Sequence, residues 1–518
     1  MNSCQICHAR RLTAFKSDED FLRYLTMGAV GSAGVTEDLN RHGHRIIELE
    51  RSTTSNKIWS QKIKRLRLPD LLCIRCGLRV EARGKSALQI KVSDTPTNPE
   101  RRWSAGLDDD DLFGFLQVYF DGDTPVAGSS VEYFRVSDLR LTEHLSRLGP
   151  PKSAREGAER DRCWPAHVPS YDGTVIAVDA THFTMKSRSG ALRHQRIPSE
   201  HVPYVLPGED FRAGQRFVSG VVPKPSTVSC PGDCWDPVAQ LRSMRSGISL
   251  TTAGRQYAAV KALALHTDAA AATTALLDTW QDISADYRVR LEALGGLAGR
   301  LQGPWIAALG RQVLEAPSAD MQMEAVLILS EQASAEASEE LATILAQRDL
   351  PQEVRAAAAW GLGICGHGSP HLLLEYLDDP SDTVALHSLV AMGSDFSEGL
   401  LQRAARLLPR NDRAAAAAVH LISRHRDGSR AATLLLRCLN EAATNRLAGW
   451  ALYGLALLDG VDVRGALSGS PDPSIAHQIE RISVGLTSDW LLNERASTPS
   501  AIRFLSRQTV CRAPQLEG

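Results

Sequence analysis

Leu68 to Ser93 (LPDLLCIRCGLRVEARGKSALQIKVS) is the stretch that most narrows what this chain can fold into. Leu71, Leu72 and Ile74 make a short apolar run, Arg75-Cys76-Gly77 reads as a turn, and Leu78, Val80 and Ala82 then alternate with Arg79, Glu81 and Arg83. Alternation with a period of two marks a strand, so the stretch predicts two strands closed by a tight turn. Asp70 lies on the first strand, Glu81 and basic residues on the second, and a Cys-x2-Cys-Gly knuckle at the turn. Two acids on neighbouring strands with a cation close by are groups that hold a hard divalent metal against a phosphate.

Pro69-Asp70, followed by Glu81-Ala82-Arg83, resembles the PD-(D/E)xK nuclease motif, and the flanks resemble the same fold. A helix runs into a strand through Gly43 to Glu50, Asp111 to Phe120 reads as a further strand, and Val131 to Leu139 resembles the closing strand of restriction-endonuclease-like domains. The resemblance spans roughly residues 25 to 145. It implies that Asp70 and Glu81 hold Mg²⁺ or Mn²⁺, that Arg83 or Lys85 stabilises charge on the phosphate, and that Lys91 is a fallback cation. The lysine position of the motif holds Arg83, with Lys85 two residues on along the same strand face. An arginine does not deprotonate in proteins and cannot carry a proton. A non-enzymatic scaffold or nucleic-acid-binding protein is therefore the alternative to a metal-dependent phosphodiesterase.

Charge is unevenly placed. The chain of 518 residues has a formal net charge of −2, yet Lys57 to Lys85 carries nine Lys or Arg against the two acids Asp70 and Glu81. Such a patch suits an anionic polymer, with Lys57, Lys62, Lys64, Arg65 and Arg67 as nucleic-acid contacts. A solvated basic face is the plainer reading. Cys4-x2-Cys7, followed by His8, pairs with Cys73-x2-Cys76 to give four thiolates in two knuckles, a tetrahedral structural zinc set. Cys230-x3-Cys234 alone is a weak metal signal. The run Asp108 to Asp111 reads as a solvated loop or helix start rather than a cation site. Gly28, Gly31 and Gly34 lack a phosphate-loop context and point to close packing of a helix on a sheet. The N-terminus lacks the apolar core of a signal peptide and no apolar run reaches transmembrane length, so the expected setting is cytoplasmic, without a membrane partner.

The rest of the chain reads as separate modules, as its length requires. Residues 149–164 are polar and without hydrophobic period, a linker. Residues 165–235 hold short strands between turns, the pattern of a small β-barrel-like module; its His182, His194 and His201 show no metal-ligand spacing. From Gly247 to Leu492 helical cores recur near every 30 to 33 residues: Glu292-Ala293-Leu294, Glu324-Ala325-Val326, Ala357-Ala358-Ala359, His387-Ser388-Leu389, Ala418-Val419-His420 and Ala451-Leu452-Tyr453. Pro351 to Gly363 resembles a short HEAT repeat of the phycobilisome-lyase-like type, which implies an all-α solenoid offering a surface to a protein partner. The expected architecture is thus multidomain. An α+β restriction-endonuclease-like domain with zinc knuckles takes 1–148, the linker and barrel follow, a HEAT-like α-solenoid takes 247–492, and a tail 493–518.

Overall fold

The computed structural model describes residues 18–49, 66–121, 124–152, 159–221, 227–244, 250–266, 268–393 and 395–459. Helix α1 (Asp18–Arg41) leads into β1 (Ile46–Glu48), followed by β2 (Leu71–Cys73), β3 (Arg79–Lys85), β4 (Lys91–Asp94), β5 (Leu112–Asp121) and β6 (Thr124–Arg135). Five of these strands form one mixed sheet in the order β1-β2-β3-β5-β6. β2 and β3 are antiparallel, and β3 runs parallel to β5. A parallel pair needs a long crossover, and here residues 86–111 supply it.

Both faces of this sheet are covered, which is why β5 reads as an almost unbroken apolar run. On one face Val80, Ala82, Leu112, Leu116, Val131 and Tyr133 pack against Val35 and Leu39 of α1. On the other, Phe113, Phe115 and Phe134 pack with Trp103, Trp164 and the β4 segment. The glycines of α1 let the helix approach. A Cβ on Gly31 would lie 2.4 Å from the Gly84 nitrogen of β3, and one on Gly34 would lie 2.2 Å from the Leu116 side chain. Close packing is thus the role of these two, whereas a Cβ at Gly28 would meet nothing within 4 Å. The Tyr133 hydroxyl donates to Asp38 at 2.7 Å and fastens α1 to β6.

After α2 (Val136–Leu141), β7 (Arg147–Leu148) and β8 (Arg160–Cys163) pair with β4 in the order β4-β8-β7. The described parts of the segment expected as a linker, residues 149–152 and 159–164, therefore pair within the first module. Gly149 N–H donates to Asp161 and Lys152 N–H to Glu159, pairing that polar composition does not announce.

The strands β9 (Ala166–His167), β10 (Gly173–Val178), β11 (His182–Ser187), β12 (Leu192–Arg196), β13 (Val202–Pro203), β14 (Asp210–Phe211) and β15 (Val218–Ser219) follow. They make two sheets, β12-β11-β10-β14 and β13-β15-β9, over a shared core of Val175, Phe183, Met185, Phe211 and Phe217. Among the described residues no barrel closes, contrary to expectation. Closure needs a continuous staggered ladder around the ring, and four of these strands are two residues long. Arg216 seats this unit on the first module: fully buried, it donates to the Leu88 carbonyl at 2.8 Å and lies 3.1 Å from Glu132.

The helical stretch begins earlier than expected, at residue 237. It comprises α3 (Pro237–Ser243), α4 (Leu250–Leu263), α5 (Ala269–Gln281), α6 (Tyr287–Leu301), α7 (Pro304–Glu315), α8 (Ala319–Ser330) and α9 (Ala335–Ala346). It continues with α10 (Gln352–Cys365), α11 (Pro370–Glu375), α12 (Asp382–Met392), α13 (Glu398–Ala405), α14 (Asp412–Ser423), α15 (Gly428–Asn440) and α16 (Asn445–Asp459). Residues 460–492 of the expected array and the tail 493–518 lie outside the described residues. Many of the helices start on a side-chain cap, as at Asp236, Asp268, Ser334, Ser381, Asn411 and Asp427.

Alternate helices pack side by side, so that α4, α6, α8, α10, α12, α14 and α16 form one row. Their starts at 250, 287, 319, 352, 382, 412 and 445 are 30 to 37 residues apart. Five of the six repeated cores fall within α6, α8, α10, α12 and α14, and the sixth within α16. Met323 to Ser330 and Ala414 to Ile422 are buried without interruption, as expected of helices surrounded on all sides. Ion pairs such as Asp382–Arg413 at 2.7 Å and Asp412–Arg446 at 2.6 Å join positions about one repeat apart. No described helix is long and apolar enough to cross a membrane.

One ion pair in this stretch is buried: Arg355 Nη2 lies 2.6 Å from Asp379, and the same guanidinium donates through Nε to the Leu345 carbonyl. Removing one partner strands the other's charge. Asp379→Ala should cost about 3–5 kcal/mol, whereas Asp395→Ala, which breaks the exposed pair with Arg426, should stay within about 1 kcal/mol. Urea unfolding of the two variants measures the difference; equal losses would contradict it.

Candidate functional site

The β2–β3 hairpin carries two sets of reactive side chains. Register places the first. Leu71 faces Val80 and Leu72 faces Arg79, and Asp70, in the bend just before β2, reaches the Ala82 N–H and Arg83 of β3. Side chains alternate along β3: Val80, Ala82 and Gly84 turn to α1, and Glu81, Arg83 and Lys85 turn to the other side with Phe113, Phe115 and Gln117 of β5. All four expected residues, Asp70, Glu81, Arg83 and Lys85, therefore lie on one face.

Asp70 accepts a hydrogen bond from the Ala82 N–H at 2.8 Å, which ties the two strands at the site. The Arg83 guanidinium pairs with Glu81 and approaches Asp70 to 4.0 Å. Asp70, in the bend before β2, and Glu81 of β3 are oxygen donors suited to a hard divalent ion, and Arg83 is the cation that meets both of them here. Burial, and after it the charges of Arg83 and Lys91, hold the Lys85 ammonium down to about 8, with Asp161 acting the other way and Lys152 adding to the decrease. Lys91 is paired with Asp161 at 2.9 Å, and Lys152 reaches the same carboxylate at 3.0 Å. Asp161 and Lys152 come from the segment expected as a linker, so nothing local in the sequence placed them beside β3.

Arg79, on the same face, is bound elsewhere. It lies 2.5 Å from Asp108 and 2.6 Å from Asp111, and Arg255 of α4 also pairs with Asp108. Asp109 pairs with Arg140 and Asp110 with Arg135. The four-acid run lies in a turn with Asp109 and Asp110 exposed, and each acid pairs with an arginine. Of the expected nucleic-acid contacts, Arg67 donates through Nε to the Glu100 carbonyl at 3.3 Å. Lys57, Lys62, Lys64 and Arg65 lie outside the described residues.

The second set surrounds the hairpin tip. Cys73 ends β2 and Cys76 sits in the turn, where Gly77 takes φ +74° and donates its N–H to the Cys73 carbonyl at 2.9 Å. A Cβ at Gly77 would stand 2.8 Å from the Trp235 ring, a second reason for glycine there. The ligand atoms of Cys73, Cys76, His44 and Cys230 all lie within 4.8 Å of one another, and among the described residues no other group of three or more His, Cys, Asp or Glu does so. The cluster is compatible with zinc. Cys73 and Cys76 share a hydrogen bond that lowers the Cys73 thiol and raises that of Cys76. Cys4 and Cys7, expected as the other two zinc ligands, lie outside the described residues.

His44 and Cys230 were not in the expected set. Gly43, at φ +84°, ends α1 with His44 N–H donating to Leu39 and Gly43 N–H to Asn40, a left-handed helix stop that throws His44 back toward the hairpin. Cys230 N–H donates to the His42 carbonyl at 3.0 Å. The only local signals were the weak Cys230-x3-Cys234 spacing and a histidine at a helix end.

Glu48, opposite Leu71 on β1, gives a pH test of the same corner. Burial holds its carboxyl up at about 7, with Lys261 opposing. A carboxyl raised in the folded state binds its proton more tightly there than in the unfolded chain. Its stabilising effect is complete below the unfolded pKa and is lost as pH rises through about 7. Glu48→Gln should therefore gain stability over wild type at about pH 8 and show little of that gain at about pH 4, below the unfolded value, as read by urea unfolding; a gain independent of pH would refute the assignment. No protein-family model and no curated protein matches this chain.

Proposed function

We propose that the face bearing Asp70, Glu81, Arg83 and Lys85 is a phosphodiester-cleaving centre of the PD-(D/E)xK kind, acting on a nucleic acid. The observation that carries this is the gathering of Glu81, Arg83 and Lys85 along one side of β3 with Asp70, in the bend before β2, bonded to the Ala82 N–H and reaching Arg83. Asp70 and Glu81 would hold Mg²⁺ or Mn²⁺, which supplies Lewis-acid polarisation of the phosphate and a more acidic bound water. Lys85 takes the work that Arg83 cannot do. With its ammonium at about 8, it exchanges a proton near working pH and can receive one from the attacking water. Arg83 keeps its charge and neutralises either the carboxylates or the phosphate.

The row of alternating helices supports a HEAT-like α-solenoid as the companion module, holding a protein partner or the substrate while the first module acts. The setting would be cytoplasmic, where thiols persist. A second reading has its own support. Arg83 already pairs with both carboxylates, as it would in a scaffold or binding protein that has given up metal at this face.

Asp70→Ala should abolish Mg²⁺- or Mn²⁺-dependent cleavage of DNA or RNA while leaving binding largely intact, because affinity resides mainly in phosphate contacts. Arg83→Lys should preserve or raise cleavage. If neither wild type nor Arg83→Lys cuts any nucleic acid with either metal, and neither binds it at low salt, the scaffold reading stands.

Cleavage by wild type should climb with pH through about 8 as Lys85 loses its proton, and Lys85→Arg should remove that limb. An unchanged profile in Lys85→Arg would assign the proton transfer to another group.

A further inference from the structure

We infer that His44, Cys73, Cys76 and Cys230 together bind one Zn²⁺, and that this ion joins the sheet module to the start of the helical stretch. The donor set is three thiolates and one imidazole, the soft and borderline ligands zinc takes in closed structural sites. Cys76 Sγ lies 3.6 Å from His44 Nδ1. Ligand atoms about 2 Å from a tetrahedral zinc are separated from each other by less than about 4 Å, so little contraction is needed. The other ring nitrogen is also accounted for. His44 Nε2 lies 2.7 Å from the Val228 carbonyl. That acceptor places the proton on Nε2 and leaves the Nδ1 lone pair aimed at the thiols, the arrangement in which backbone carbonyls orient ligating histidines.

The site is assembled by backbone as well as side chains. Cys234 and Trp235 N–H groups both donate to the Arg75 carbonyl at the hairpin tip. The Arg75 guanidinium reaches back to the Gly43 carbonyl at 2.7 Å and to Asp233 at 2.8 Å. Three distant segments are thus stitched together around the thiols: the end of α1, the hairpin turn and residues 228–235. The last leads directly into α3. An ion held by all three closes the loops between them and fixes where the helices begin, because its binding energy is available only when all three are in place. Cys234, exposed and outside the four, is not a ligand. The inference does not depend on the reading of Asp70 and Glu81, and its test uses no nucleic acid.

Elemental analysis of the full chain should find one zinc per molecule. Cys230→Ser and His44→Ala should weaken zinc at least about tenfold against a competing chelator dye. Cys234→Ser, and Cys4→Ser combined with Cys7→Ser, should leave it unchanged. Replacing the ion with Co²⁺ in wild type should give tetrahedral absorption bands with thiolate charge transfer, and this holds whether or not the ligand variants fold. Three cysteines should resist a thiol reagent until the metal is chelated. Loss of zinc in the Cys4/Cys7 variant with retention in Cys230→Ser would overturn this ligand set. Iron in place of zinc would overturn the choice of metal, and wild-type protein that takes up neither zinc nor cobalt would overturn the site.

Discussion

The pairing of Leu71 with Val80 is the constraint on which the rest of the first module depends. A sheet has a side-chain period of two, so a slip of one residue would exchange the faces of the whole strand. Val80 and Ala82 would leave the α1 contact, and Glu81, Arg83 and Lys85 would be driven against that helix. Gly84 makes the alternative still less accessible. It meets Gly31 so closely that a side chain of any size in that place would clash with the helix backbone. Apolar packing on one face therefore holds the charged groups on the other, and the Asp70 bond to the Ala82 N–H pins the register at the site itself.

Charged groups also mark the joints between modules. Arg79 of β3 and Arg255 of α4 meet on Asp108, so the sheet and the helices share one ion network. Beside it Leu49 and Leu72 pack on Ala258 and Ala262 of the same helix. At the other joint Arg216 lies under the Phe134 ring, 4.7 Å from its centroid, with Glu132 beside it. Burial pushes the Glu132 carboxyl up and the Arg216 guanidinium down, and each one's charge opposes the other's shift. Pairs of this kind add little net stability over apolar contacts, but they are costly to leave half-made. They favour one relative placement of the modules over its neighbours. The helical row, in contrast, rests on a continuous apolar core running from Leu291 to Tyr453. Its exposed ion pairs follow from repeated geometry more than they create it.

The hairpin thus carries two different sets of polar side chains within a few residues. One set is the carboxylates and cations on one side of the sheet, and the other is the thiols of Cys73 and Cys76, which meet the end of α1 and the segment entering the helices. The two sets answer to different forces. The first is held by strand alternation in a register that apolar packing and the Asp70 bond fix; the second needs three chain segments to arrive together, each guided by its own backbone hydrogen bonds.

Local pattern was enough to read the first set and the repeats. Asp70, Glu81, Arg83 and Lys85 share a face because alternation and a tight turn are short-range properties, and the helical cores recur because each repeat meets the same packing problem. The knuckle Cys73-x2-Cys76 was legible for the same reason. His44 and Cys230 were not. His44 is 32 residues from Cys76, and its role depends on how the left-handed turn at Gly43 aims it. Cys230 is separated from the hairpin along the chain by both small sheets. The barrel expectation failed on the same ground, and pairing of the described parts of residues 149–164 was hidden for that reason too. Arg160 to Cys163 look solvated until Lys91 to Asp94 offer them a ladder, and short strands carry no information about whether a sheet closes. Spacing along the chain decides which groups a strand or helix shows. Only the tertiary structure decides which of those groups meet, because contacts between distant segments are set by packing and not by sequence separation.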